Sequence, residues 1–152
     1  MRSLSINPMR VVFVGLALAT VACGSDSTAP SDKPPAGHYT ATSFVTTGNS
    51  GQTNEIAAGS TLELDLLPGG ATTGHLHIAD GGNGQPVDAD MAGTWTVSGT
   101  TVTVSQAADT FVRNMPFTSS LDPALGWILV GDKIFGTTRI QVTLRRLATD
   151  PV

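Results

Sequence analysis

The sequence predicts an all-β fold, an antiparallel up-and-down sheet of about eight short strands closed into a small barrel. Three observations predict it. After position 36 the apolar residues alternate with period two instead of recurring every three or four positions. The apolar runs end at Gly, Asn, Asp or Pro, residues that supply turn geometry, and the chain holds 17 glycines and 9 prolines. At 40% hydrophobic and 13% charged residues, the chain is too apolar for a charge-rich disordered segment and too rich in helix breakers for a helical domain. Closing the sheet removes the edges that would otherwise invite aggregation.

The first strand spans Tyr39 to Thr46. In TLELDLL, Leu62, Leu64 and Leu66 share one face and Glu63 and Asp65 the other. In GHLHI, Leu76 and Ile78 oppose His75 and His77. A slip of one residue would turn either strand inside out, so the connection must have odd length. A three-residue loop at Gly69 to Ala71 sets Leu64 against Leu76 and Leu62 against Ile78. The next hairpin needs two loop residues, Gly99-Thr100 in a type II′ turn, which pairs Trp95 with Val104 and Val97 with Val102. A strand follows from Phe111 to Thr118, then one or two between Gly126 and Gly136. The last has Ile140, Val142 and Leu144 inward and Arg139, Gln141, Thr143 and Arg145 outward, and it closes the sheet. EIAAG near Glu55 and DPALG near Asp122 are long enough for one helical turn each and no packed helix. The acidic, glycine-rich stretch from Asp80 to Asp90 lacks EF-hand spacing and is expected to be a long loop at the barrel mouth.

Ahead of this domain, Arg2 and Arg10 flank a polar start, and an apolar run from Val11 to Ala22 ends at Cys23, the chain's single cysteine. That is the plan of a secretory signal, too short for a bilayer span of roughly 20 residues. Thr20-Val21-Ala22-Cys23 resembles the lipobox of bacterial lipoproteins. The resemblance implies that Cys23 is acylated and becomes the first residue of the mature chain, whose partner is then a lipid bilayer. Gly24 stands where that family's inner-membrane retention signal would place an aspartate, so the resemblance favours the outer membrane where the cell has one. GSDSTAPSDKPPA, from Gly24 to Ala36, has no apolar periodicity and reads as a tether. The expected organisation is a signal peptide over 1–22, a disordered tether with lipidated Cys23 over 23–36, and the barrel domain over 37–148. With one cysteine, no disulfide can form within the chain, and stability must come from the core and the sheet.

Gly37-His38-Tyr39 opening the first strand, GTWTVSGTTVTVS in mid-chain and TRIQVTLRR closing the sheet resemble the small lipocalin-like, calycin-type barrels of bacterial envelope lipoproteins. The resemblance implies non-enzymatic binding of a small hydrophobic ligand. Leu64, Trp95, Phe111, Met115 and Phe117 are the candidate ligand-binding residues. A second reading is a protein-interaction or structural module that contacts another envelope protein.

The charge balance excludes polyanion partners. Twelve acidic residues face eight basic ones, two of them in the leader, so neither nucleic acid nor anionic lipid is a partner through basic side chains. No catalytic constellation is visible: there is no G-x-S-x-G elbow and no serine partner for His38, His75 or His77. The expectation is therefore a protein without enzymatic activity or cofactor. His75 and His77 share a face, and the register above sets Asp65 opposite His75 and Glu63 opposite His77. Those four are the only metal candidates, and a solvated, charge-paired sheet face is the expected reading of them.

Overall fold

The computed structural model describes residues 34, 36–81 and 83–147. The expected signal peptide, Cys23, most of the expected tether and the last expected residue of the domain lie outside the described residues. Ten strands form: β1 (Gly37–Gly48), β2 (Gly51–Asn54), β3 (Thr61–Leu66), β4 (Ala71–Ile78), β5 (Val87–Asp90), β6 (Gly93–Ser98), β7 (Thr101–Gln106), β8 (Met115–Asp122), β9 (Gly126–Phe135) and β10 (Thr138–Arg146). Eight of them close a barrel in the order β1, β3, β4, β6, β7, β8, β9, β10, with β10 returning to β1. Every pairing is antiparallel. β2 pairs with β1 alone and β5 with β4 alone, so both stand outside the barrel as arms. The fold class read from the sequence is the one observed, and no helix forms among the described residues. The segment from Gly126 to Gly136 is a single strand.

Alternation explains the interior. Tyr39, Leu62, Leu64, Leu66, Leu76, Val102, Val104, Met115, Phe117, Leu129 and Leu144 are all fully buried in one cluster, with Trp95 and Val97 packed against it, so every barrel strand contributes. Full burial of one such side chain is worth about 1.5–3 kcal/mol. β10 behaves as its pattern predicts, with Ile140, Val142 and Leu144 inside. Its pairing with β1 carries a bulge between Ala41 and Ser43. The β6–β7 hairpin also matches, pairing Trp95 with Val104 and Val97 with Val102. Gly99 has a φ of 58° and Thr100 is not in the left-handed region, as a type II′ turn requires.

Three expectations need correction. The β3–β4 loop has three residues, but they are Pro68 to Gly70, closed by a bond from the Leu67 N–H to the Ala71 carbonyl at 2.9 Å. Proline at the second position and glycine with a φ of 89° at the third suit a type II turn, and that chemistry moves the loop one residue earlier. The register shifts by two: Leu62 faces Leu76, Leu64 faces Gly74 and Glu63 faces His75. The inside–outside assignment survives because the shift is even. The strand expected from Phe111 starts only at Met115, because Phe111 and Val112 are both buried and cannot lie on one pleated strand facing one interior. Asn114, with a φ of 55°, turns the chain into β8. Finally, the stretch from Asp80 to Asp90 is not wholly loop, since its last four residues form β5.

Candidate functional site: the barrel mouth

The two ends of the barrel are built differently. β1 starts and β10 ends at one end, beside the β3–β4, β6–β7 and β8–β9 turns, and this end is tightly tied. The Trp95 indole N–H donates to the Leu67 carbonyl at 3.0 Å, and the Asp122 carboxylate accepts the Ala124 and Leu125 N–H groups at 2.8 and 2.9 Å. At the opposite end the upper half of β1 stays paired with β10 but exchanges β3 for β2, and the upper half of β4 stays paired with β3 but takes β5 in place of β6. At this end the β7–β8 connection folds back over the interior, burying Phe111 and Val112.

That connection is held by two cations. The Arg113 guanidinium donates to the Gln106 and Ala108 carbonyls at 3.1 Å each and to the Ala107 carbonyl, and it pairs with Asp109 at 3.3 Å. Lys133, on β9, donates to the carbonyls of Phe111 and Arg113 at 3.2 and 2.5 Å. A guanidinium with five donors fits a loop whose carbonyls lack ladder partners. The result drives Phe111 down onto Phe44, with ring centroids 5.2 Å apart and planes inclined by 44°. Such tilted aromatic pairs add about 0.5–1.5 kcal/mol beyond their buried area.

Above this pair lies a cavity of about 700 Å³. Its floor is Phe44, Phe111 and Ile140, its apolar wall Ile78, Val87 and Phe135, and its polar lining includes Glu55, Asp80 and Asp109. The size falls within the roughly 300–1,000 Å³ of small-molecule sites. Glu55 follows β2 directly. Its N–H donates to the Phe44 carbonyl at 2.8 Å, and its carboxylate accepts the Thr46 hydroxyl at 2.5 Å and the Ser60 hydroxyl at 3.3 Å. Ser60 in turn accepts the Ala79 N–H at 3.0 Å, which joins the foot of one arm to the foot of the other. The EIAAG segment makes the single turn expected of it, with the Ala58 N–H on the Asn54 carbonyl at 3.1 Å.

Of the five residues suggested for ligand contact, Phe111 lines this cavity. Leu64, Met115 and Phe117 are wholly buried lower in the barrel, and Trp95 sits at the tied end. Sequence reasoning missed Glu55, Val87 and Phe135 as parts of one mouth. Glu55 and Val87 belong to arm segments without an alternating apolar face, and Phe135 follows an exposed Ile134, which breaks the rhythm.

The histidine patch is rearranged by the new register. Asp65 lies 2.5 Å from the His38 imidazole and accepts the Thr73 hydroxyl at 3.0 Å, so it does not oppose His75. Glu63 faces His75, and His77 faces Thr61. Both histidines turn to β5 instead: His75 Nε2 and His77 Nδ1 lie 3.0 and 2.8 Å from the same oxygen of Asp88. These hydrogen bonds, His77 first and then His75, hold the Asp88 carboxyl below its ordinary value. No group of three or more His, Cys, Asp or Glu side chains among the described residues is arranged to hold a metal ion. In comparisons with known proteins, no family model, no curated protein and no solved structure matches the chain.

Proposed function

We propose that this is a lipid-anchored envelope protein of the lipocalin-like kind, binding a small hydrophobic ligand in the mouth cavity by burial, without chemistry. The observation that carries the proposal is the cavity itself, with an aromatic and aliphatic floor at the barrel end opposite the start of β1. A tether joined ahead of Gly37 would leave from the tied end, opposite the mouth. The anchor rests on the Thr20 to Cys23 motif. Cys23→Ser should release the chain from membranes, and retention would overturn the anchor.

Ala58 lines the cavity from an exposed turn, so Ala58→Trp fills the mouth without touching the buried cluster. Decanol, titrated calorimetrically, should bind the parent chain and not this variant, while the unfolding free energy stays within about 0.5 kcal/mol of the parent. Equal decanol binding by both would remove the mouth as the site. The alternative of a protein-contact module rests on Val130 and Ile134, which share the outer face of β9 and are 46% and 71% exposed. That reading predicts partner binding indifferent to Ala58→Trp and sensitive to Ile134→Ser.

A further inference from the structure

We infer that the mouth selects a ligand whose apolar body carries a cationic, amine-type head, and that Glu55 is the group that receives it. This rests on the mouth being the binding site and adds the chemistry of the ligand. Among the described residues the cavity is lined by three carboxylates, Glu55, Asp80 and Asp109, and by no Lys, Arg or His.

The three are not equivalent. Asp109 is paired with Arg113 at 3.3 Å, and both Asp80 and Asp109 are exposed. Asp80 accepts the Gly84 N–H at 2.9 Å within its own loop. Glu55 alone is buried, at 8% exposure, and it stands where the apolar floor meets the polar wall, its backbone bonded to that of Phe44. Its described hydrogen-bond partners are two neutral hydroxyls. A carboxylate offers about four acceptor sites and accepts most strongly from charged donors, so Glu55 keeps capacity for a further donor from the cavity side. Buried charges are ordinarily paired with an opposite charge, and an ammonium on a bound ligand supplies it. The apolar tail then lies on Phe44, Phe111 and Ile140. A fatty acid placed the same way would set its carboxylate against Glu55, with Asp80 and Asp109 also lining the site.

The test is calorimetric titration of the full-length chain at neutral pH with three probes of equal chain length: decylamine, decanol and decanoate. Decylamine should bind about tenfold or more tighter than decanol, the scale of one charge-assisted hydrogen bond, and decanoate should bind weakest. Glu55→Gln should bring decylamine to within about threefold of decanol, whereas Asp80→Asn should shift decylamine by less than about threefold. Ala58→Trp should abolish all three, which separates the cavity from adhesion of a cation to an acidic surface. Decanol bound as tightly as decylamine would overturn the inference and leave the mouth as an apolar site. Binding of neither would overturn both. An amine preference that survives in folded Glu55→Gln would overturn the role of Glu55. Should that variant fail to fold, the parent's amine-to-alcohol ratio decides the ligand class.

Discussion

The tied end and the mouth use the same eight strands and the same wall, yet they spend their backbone groups differently. At the tied end consecutive strands meet in loops of two or three residues, and the interior is occupied by Tyr39, Leu64, Phe117 and their neighbours. At the mouth β1 and β4 each part from one barrel neighbour, and carbonyls of Ala107, Ala108, Phe111 and Arg113 in the β7–β8 connection accept from the side chains of Arg113 and Lys133. One end is held by ladders and packing. The other keeps its ladders between β9, β10 and β1, but its β7–β8 connection is held by a few side chains that leave room above the Phe44–Phe111 pair. Stability and binding are therefore expected to separate along the barrel axis, and substitutions at the two ends can break that expectation.

The largest effect is expected from Phe117→Ala in the filled half. Phe117 is fully buried and pairs with Val102 and Gly131. Its loss should cost about 3–5 kcal/mol in chemical denaturation, while the decanol affinity of the molecules that remain folded stays unchanged. A loss of affinity beyond the unfolded fraction would show that the filled half belongs to the site.

A smaller effect, also confined to that half, involves Tyr39. Burial pushes its phenol up from the ordinary value of 10.0 to about 12, against a lowering influence from the nearby Arg146. Below pH 10 both folded and unfolded chains hold the proton. Above it the unfolded chain loses the proton first, so stability falls between about pH 10 and 12, by about 2–3 kcal/mol for a shift of that size. Tyr39→Phe should remove this part of the alkaline loss, measured as the difference in unfolding free energy between pH 9 and 11.5. The same slope in both proteins would mean that another group controls alkaline unfolding.

How much was legible follows the same division. Strands that bury one face show alternation, so β3, β4, β6, β7 and β10 were readable with their inward residues, and so was the two-residue turn at Gly99. β2 is Gly-Gln-Thr-Asn, exposed at every position, and β5 is Val-Asp-Ala-Asp, exposed at three of four. Neither has a face to bury, so periodicity has nothing to register. The β3–β4 register was misplaced for a different reason, since alternation fixes parity and not position, and only the chemistry of Pro68-Gly69 decides between two even registers. The candidate site suffered from both. Phe111 was recognisable as an apolar candidate for ligand contact. Glu55 became meaningful only once β2 carried it back against Phe44.

The closure of the barrel has a kinetic side. Most ladders join strands adjacent in the chain, but the seam between β1 and β10 ties its two ends, with the Thr42 hydroxyl donating to the Thr143 carbonyl at 3.3 Å across 101 positions. Contacts of such separation repay their loop entropy only when formed, and topologies that depend on them fold slowly. Until the seam closes, β1 and β10 each present an open edge. A nascent copy of this chain is thus most exposed to mispairing with another copy before its last strand arrives, which makes completion of β10 the step that commits each molecule to a closed barrel.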